Sequence, residues 1–581
     1  MPFILNNPDE FVEQATDGFI FANSHLVQKV QGGVIRSGKK RSGQVAVIIG
    51  GGSGHYPAFA GVVGPGLAHG AVIGNVFASP STQRVLNVCR AAESGGGILL
   101  SYGNYAGDVM NFNLAQEQLI AEGIPCKTVL VTDDIMSADK SEMHKRRGIA
   151  GDLIVFKIAS AAAEAGYSLG EVYRVATLAN ERTRTIGVAF SGCTLPGKNE
   201  PLFTVPKGRM ALGLGIHGEP GLSEIDIPTS RELAEDLVAR LLNENPISTN
   251  LKSEDRLIVL VNGLGGVKYE ELFVFYRDVF EILTSKNIEV IEPDVGELVT
   301  SFEMAGVSLT FTWLDEELES LWRKPTYSSA YKKGNISFQF SEHSKELFVE
   351  ETSIIKKGSK DSQSCALFIA ELMELVDLKC RDYSEALGDL DSIAGDGDHG
   401  IGMEKGAKAA AKTSRNFANS GAGAGSTLIA AGDAWSDEAG GTSGIIWGII
   451  LKEIGKVFDD EEKPNLKTIS RAIDQASEKV TSFGKAQLGD KTLVDVLVPF
   501  SQKLFELAES SQNTKVSISE SWKIASITAS EAARATANLV PKVGRARPHA
   551  EKSVGHQDPG ATSLALIIAA ISKFLEEKKY E

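Results

Sequence analysis

The chain has 581 residues, 43% of them hydrophobic and 23% charged, a globular composition that excludes a largely disordered protein and predicts several domains or two large ones. A net charge of −16 disfavours general attraction to nucleic acid or anionic membranes. The five cysteines, Cys89, Cys126, Cys193, Cys365 and Cys380, form no CxxC pair, which excludes a disulfide framework or cysteine-rich zinc module and fits a reducing cytosol.

The N-terminus has no basic region leading into an apolar stretch, and no apolar run reaches the roughly 18 residues of a spanning helix. A soluble, cytoplasmic protein is expected. From there to about residue 320, short β-branched runs end repeatedly in glycine or a small polar residue. They lie at 45–49, 71–73, 97–103, 128–132, 184–191, 210–217 and 257–262, with helical stretches such as 150–165 and 232–243 between them. Continuous apolar runs alternating with helices predict buried parallel strands in α/β layers, here one large α/β domain of two lobes over 1–325. Residues 326–360 have no long apolar run and are expected to be an extended linker with one short strand at 336–340. Beyond residue 361 strand-like runs nearly vanish. Helical faces recur at 365–378, 402–416, 424–438, 443–458, 466–482, 491–510, 516–539 and 561–577, which predicts an all-α domain of about eight helices over 361–581.

The loop Gly50–His55 (GGGSGH) follows a strand, yet it fails as a dinucleotide fingerprint. The third glycine position is His55, and no Asp or Glu occurs between Asp17 and Glu93 to hold a ribose. It reads either as a tight strand-to-helix turn or as a cradle of N–H groups for ligand oxygens. Position favours the cradle, because His55, Ser79, Asp108 and His217 all follow predicted strands, and ligands of open α/β sheets bind beyond the carboxyl ends of strands. Imidazole can add to a carbonyl carbon, and Asp plus His can move protons on a hydroxyl.

In the helical part, Asp391, Asp396 and Asp398 fall within eight positions beside Gly395, Gly397 and Gly400. Three carboxylates gathered without Lys or Arg call for a cation, and oxygen ligands select a hard one such as Mg²⁺. An EF-hand fails, because Ile401 and Ala407 stand at its positions 6 and 12 when Asp396 is counted as 1. The loop 440–444 (GGTSG) precedes an apolar helix and can hold phosphate at the helix N-terminus.

The motifs at 50–55, 104–112 (NYAGDVMNF), 191–197 and 215–221, followed by 391–400, 440–444, 489–495 (GDKTLVD) and 555–561, resemble in order the two domains of the dihydroxyacetone kinase family. The resemblance implies an ATP-dependent ketose kinase with an α/β substrate domain and an eight-helix barrel that holds ATP and two Mg²⁺. It implies His217 as the residue forming a covalent hemiaminal with the ketone, Asp108 and His55 as acid/base partners, and Gly52, Ser53, Gly54 and His55 as the substrate loop, with Ser79 nearby. Asp391, Asp396 and Asp398 are implied as metal ligands. His399, Gly400, Thr442, Ser443, Gly484, Thr492, Asp558, Pro559 and Gly560 are implied to lie along the nucleotide. Two departures stand out. Gly103 occupies the position of a family lysine and is expected to open the pocket to a ketose larger than dihydroxyacetone, such as the four-carbon erythrulose. The loop 544–553 differs from the family pattern, with Lys552 in place of an arginine, so its phosphate contacts are in doubt. A homodimer is expected. The alternatives are a non-catalytic ketose sensor and a lyase that cyclises flavin dinucleotide.

Overall fold

Apolar runs without charge form strands covered on both faces, and these build the first half of the chain. The computed structural model describes residues 4–213, 215–216, 223–246, 256–336, 355–395, 397–510, 517–543 and 550–578. Two compact units divide it, Met1–Phe348 and Val349–Glu581.

The first unit holds two sheets. In the first, β1 (Val27–Val30), β2 (Gly33–Arg36), β3 (Ala46–Ser53), β4 (Gly70–Val76), β5 (Ile98–Gly103) and β6 (Cys126–Val131) run in the order β1-β2-β4-β3-β5-β6. Its four central and edge partners β4, β3, β5 and β6 are parallel, as the apolar runs predict. The second sheet departs from that expectation. It comprises β7 (Thr183–Ala189), β8 (Arg209–Leu212), β9 (Ser223–Asp226), β10 (Arg256–Gly263), β11 (Glu289–Val290), β12 (Asp294–Gly296) and β13 (Gly306–Trp313). Strands β10, β13, β7, β8 and β9 pair antiparallel in that order, and only the short β11 and β12 join β10 in parallel. Full burial of a strand reports cover on both faces, and here an antiparallel strand has it too. Every residue of β13 is buried. Val307, Leu309, Phe311 and Trp313 enter one core cluster. The hydroxyls of Thr310 and Thr312 bond those of Thr185 and Thr183 across the register, each at 2.8 Å.

The helix Gly151–Glu164 is apolar or small nearly all round and is buried along its length, as such a helix must be. Its side chains share one cluster with residues of both sheets, including Val47 and Ile49 of β3 and Ile258 and Leu260 of β10. The stretch 326–333 belongs to this unit and not to an extended linker. Here β14 (Thr326–Tyr327) and β15 (Lys332–Lys333) form a small hairpin, Tyr331 is buried, and its hydroxyl donates to Asp294 at 2.6 Å. Ile336 is outside any strand, and 337–340, where a strand was expected, lie outside the described residues.

The second unit is all-helical. Its long helices are Lys360–Asp382, His399–Asn419, Ala424–Ala439, Gly441–Phe458, Leu466–Gly484, Val494–Ser510, Ile518–Ala535 and Pro559–Glu577. Each packs on the next, and the last packs on the first, closing an eight-helix ring. Two short helices, Ser384–Ser392 and Ala550–Ser553, raise the described total to ten. By length and composition Pro559–Glu577 would span a membrane, but Ser563, Leu564, Ile567 and Ile568 are buried in the ring.

Candidate active site

The parallel order of the first sheet sets the carboxyl ends of β4, β3, β5 and β6 side by side. After β3 the chain passes Gly52, where a β-carbon would lie 2.7 Å from the backbone nitrogen of Ala78 in the loop after β4, so only glycine lets the two loops touch. Ser53 donates to the Gly74 carbonyl at 2.7 Å, and Gly54 follows with φ +112°. His55 is 1% exposed and stacks on Phe77, ring centroids 5.1 Å apart. Its Nδ1 is 2.8 Å from the Thr300 carbonyl oxygen, which only accepts, so Nδ1 carries the proton and Nε2 the lone pair of the neutral ring.

The loop after β4 carries Ser79. Asn111 of helix Ala106–Ala121 donates to Ser79 Oγ at 3.3 Å and to the Gly107 carbonyl at 3.0 Å. In this way Ser79 is tied to the first turn of that helix, where Asp108 is 8% exposed. Gly103 closes β5. Its surroundings differ from the open space expected there, because a β-carbon on Gly103 would lie 3.1 Å from both the Gly148 carbonyl oxygen and the Tyr105 ring. Gly52, Ser53, Gly54, His55, Ser79, Gly103 and Asp108 therefore gather at one sheet edge. His217 lies outside the described residues, as does most of the predicted strand end, β8 stopping at Leu212. Nearby, Ile216 is buried in the cluster of the first sheet, and the Gly213 carbonyl accepts from Arg147 at 3.3 Å, itself paired with Asp134 after β6.

Two acids at this edge escaped the motif reading. Asp133 follows β6 and accepts from the Ile149 and Gly151 N–H groups, each at 2.8 Å, while burial pushes its pKa up to about 6. Asp152 opens the buried helix Gly151–Glu164. The Asp133-Asp134 pair directly after a predicted strand was the available signal.

A cavity of about 640 Å³ adjoins the same glycine loop, lined by Phe11, Phe19, Gly52, Thr300, Phe302 and Glu303 among others. Its lining is mostly apolar and includes neither His55 nor Asp108.

In the second unit, alternation around the ring brings the first turns of His399–Asn419, Gly441–Phe458, Val494–Ser510 and Pro559–Glu577 to one end. His399 fixes three of them. Its Nδ1 is 3.1 Å from Ser443 Oγ and its Nε2 3.0 Å from Ser563 Oγ, and burial holds its pKa below the usual value, leaving a neutral ring whose two nitrogens are engaged within the protein. Gly400 packs so closely on the Ser384 carbonyl that a β-carbon would lie 1.8 Å from it. Thr442 and Ser443 occupy the first turn after Gly440 and Gly441, both at positive φ. Gly484 ends the helix Leu466–Gly484 at the same end, and Thr492 precedes Val494–Ser510. Asp558 caps the next helix through the Ala561 N–H at 2.7 Å, with Pro559 and Gly560 as its first residues.

Carboxyls converge among these loops. Asp391 Oδ2 accepts from the His399 N–H at 3.4 Å. Burial and the Asp391 charge lift Asp398 to about 7, and burial with Asp391 and Asp495 lifts Asp558 to about 7. Asp396 lies outside the described residues. Asp495, which accepts from Gly489 and Thr492 N–H groups, and the buried Lys491, which donates to the Leu539 and Ser553 carbonyls, join the site without having been singled out from sequence. Buried like charges that raise one another's pKa, with oxygen donors only, suit a hard divalent cation. The loop 544–549 lies outside the described residues.

Residues 17–330 match the Dak1 domain and residues 393–573 the DAK2 domain. The chain is 53% identical to the L-erythrulose kinase of Pectobacterium atrosepticum over 99% of its own length and 97% of that protein's. It belongs to the dihydroxyacetone kinase family. Another relative in this family, the D-erythrulose kinase of Mycolicibacterium smegmatis, is 49% identical over 98% of both chains. The crystal structure of the dihydroxyacetone kinase from C. freundii in complex with AMP-PNP and Mg²⁺ is similar over 99% of both chains, with 30% identity and a TM-score of 0.52. This likeness extends over both units, the α/β part and the helical ring.

Proposed function

We propose that this ATP-dependent ketose kinase moves the terminal phosphoryl group of ATP to a terminal hydroxyl of a short-chain ketose, erythrulose or dihydroxyacetone. The observation that carries the reading is the pairing in one chain of two unlike sites: a neutral His–Asp edge in the first unit, and a carboxylate cluster among helix N-termini in the second. The names of its relatives support the substrate class, and their high identity over nearly full length supports the four-carbon ketose.

Asp108, assisted by His55 through its Nε2 lone pair, accepts the proton of the attacking hydroxyl. On the family resemblance, His217 adds a ring nitrogen to the ketone carbon. The carbonyl oxygen becomes a hydroxyl as the imidazole N–H proton is lost to solvent and one is gained at oxygen, giving a hemiaminal. Glycerol has no carbonyl and cannot be held this way. In the second unit, Thr442 and Ser443 present a helix N-terminus to the phosphates. Asp391, Asp398 and Asp558, with Asp396 on the resemblance, would hold the two Mg²⁺ ions expected. Bound Mg²⁺ neutralises charge on the phosphates. The protein's remaining task is positioning. Assembly as a homodimer belongs to the same reading and is checked by sedimentation.

The test is ADP formation with Mg²⁺·ATP and a panel of dihydroxyacetone, both erythrulose enantiomers and glycerol. Ketose-dependent ADP release without response to glycerol is expected. Replacing Asp391 by Asn should lower turnover by about 10²- to 10³-fold, the scale of losing one electrostatic contact to the transition state, while ketose binding persists. No ketose-dependent ADP from the unaltered enzyme would overturn the proposal.

A further inference from the structure

The acids beside the end of β5 are not equivalent. Asp133 uses both oxygens on backbone N–H groups, and Asp134 is paired with Arg147 at 2.8 Å. Asp152 is 1% exposed, and its Oδ1 has no hydrogen-bond partner among the described residues. No Lys or Arg is ion-paired with it among those residues either. Buried polar atoms in native proteins are almost always bonded, so an orphan of this kind asks for a missing partner. Burial holds this carboxyl well above the usual acid range, and the charges of Asp133 and Asp108 push the same way. At neutral pH it is a carboxylic acid with a hydrogen to donate.

Its position connects it to the ketose edge. A β-carbon on Gly148 would lie 3.1 Å from Asp152 Oδ1 and 2.4 Å from the Cα of Gly103. Two residues without side chains, Gly103 and Gly148, therefore stand between this acid and the wall of the site, and Asp108 is near enough to influence it electrostatically. Gly103 thus changes the pocket less by vacating space than by bringing backbone, and the acid behind it, close to the ligand.

We propose that Asp152 is a specificity-determining residue whose carboxyl hydrogen-bonds the hydroxyl that a four-carbon ketose carries beyond the triose. The inference rests on the ketose reading of the Asp108–His55 edge. A hydroxyl both donates and accepts, so it satisfies a neutral acid completely, and a triose leaves that acid orphaned. Sites built around buried polar groups discriminate in this way against a ligand lacking the matching group.

The experiment compares kcat/KM for erythrulose and dihydroxyacetone in the intact enzyme and in Asp152→Ala, Asp152→Thr and Asp152→Asn. The Ala and Thr variants should lose about 10- to 100-fold in the erythrulose-to-dihydroxyacetone ratio, the scale of one buried hydrogen bond. Asn, which keeps a donor and an acceptor of the same reach, should restore the ratio to within about threefold, a rescue that a purely structural acid would not produce. Should the Ala variant fail to fold, the Thr variant reads the same ratio. Equal losses on both ketoses, or an unchanged ratio, overturn the assignment and leave the kinase reading standing. Absence of ketose-dependent ADP from the unaltered enzyme overturns both.

Discussion

Lys157 lies wholly buried in the first unit, with its ammonium 2.7 Å from the Lys324 carbonyl and over the Trp322 ring at 5.4 Å. Burial first, and then the charge of Lys333, pull its pKa down to about 7, against the opposing pull of Asp294 and Glu292. Unfolded, the amine titrates near its ordinary value of about 10.4. Between those values the unfolded chain binds a proton that the native chain does not, so stability rises with pH across that window, by at most about 1.4 kcal/mol per unit. Below pH 7 both states are charged and the burial cost is complete. A Lys157→Met variant should therefore gain most over the natural protein below pH 7 and lose that advantage toward pH 10. Denaturant unfolding of both proteins from pH 6 to 10 checks this; parallel profiles would show that the lysine is ionised freely in the fold. At this same scale the sequence was legible where chemistry is local. GGGSGH and the aspartate run announced themselves, whereas Lys157 and Asp152 sit in an apolar helix, and only the packing around them makes them unusual.

The helix Gly151–Glu164 shows how an element's pattern carries structural meaning without revealing its neighbours. Its apolar character all round was readable and required burial, but the sequence does not say that two sheets share it. Ile154, fully buried in their common cluster, should cost about 2–5 kcal/mol on replacement by Ala, at the upper end if both sheets resist collapse onto the cavity. Urea unfolding followed by tryptophan fluorescence measures it, and a cost below about 1 kcal/mol would mean that the two lobes do not depend on this helix. Strand direction was the less legible property. Ser308, Thr310 and Thr312 alternate with Val307, Leu309 and Phe311, a period-two pattern that ordinarily puts the polar face in water. In β13 that face is buried, because cross-strand threonine pairs satisfy its hydroxyls. The antiparallel centre of the second sheet follows from a pairing partner some 120 residues away in sequence, which no local pattern encodes.

At the scale of the whole chain, the change from β-branched runs to helical faces correctly anticipated an α/β part followed by a helical one, because each texture can bury itself only in its own kind of layer. The closure of the helical ring came from the spacing of eight amphipathic segments. The convergence of Asp391, Asp495 and Asp558 at one end of it did not, since it depends on alternate helices starting at the same end. Each compact unit has its own core and, on the proposed function, its own ligand: ketose for the first, Mg²⁺·ATP for the second. Cores of this size unfold as separate cooperative units, and a ligand stabilises only the unit that binds it. At 100 times its Kd, a ligand adds about 2.7 kcal/mol, worth roughly 5–10 °C in a unit of this size. Calorimetry should accordingly resolve two transitions, one raised by Mg²⁺·ATP and the other by ketose. Asp391→Asn should blunt the response to Mg²⁺·ATP and spare the response to ketose. A single transition moved by either ligand would mean that the two units unfold as one, and that the sites are thermodynamically coupled before any phosphoryl group moves.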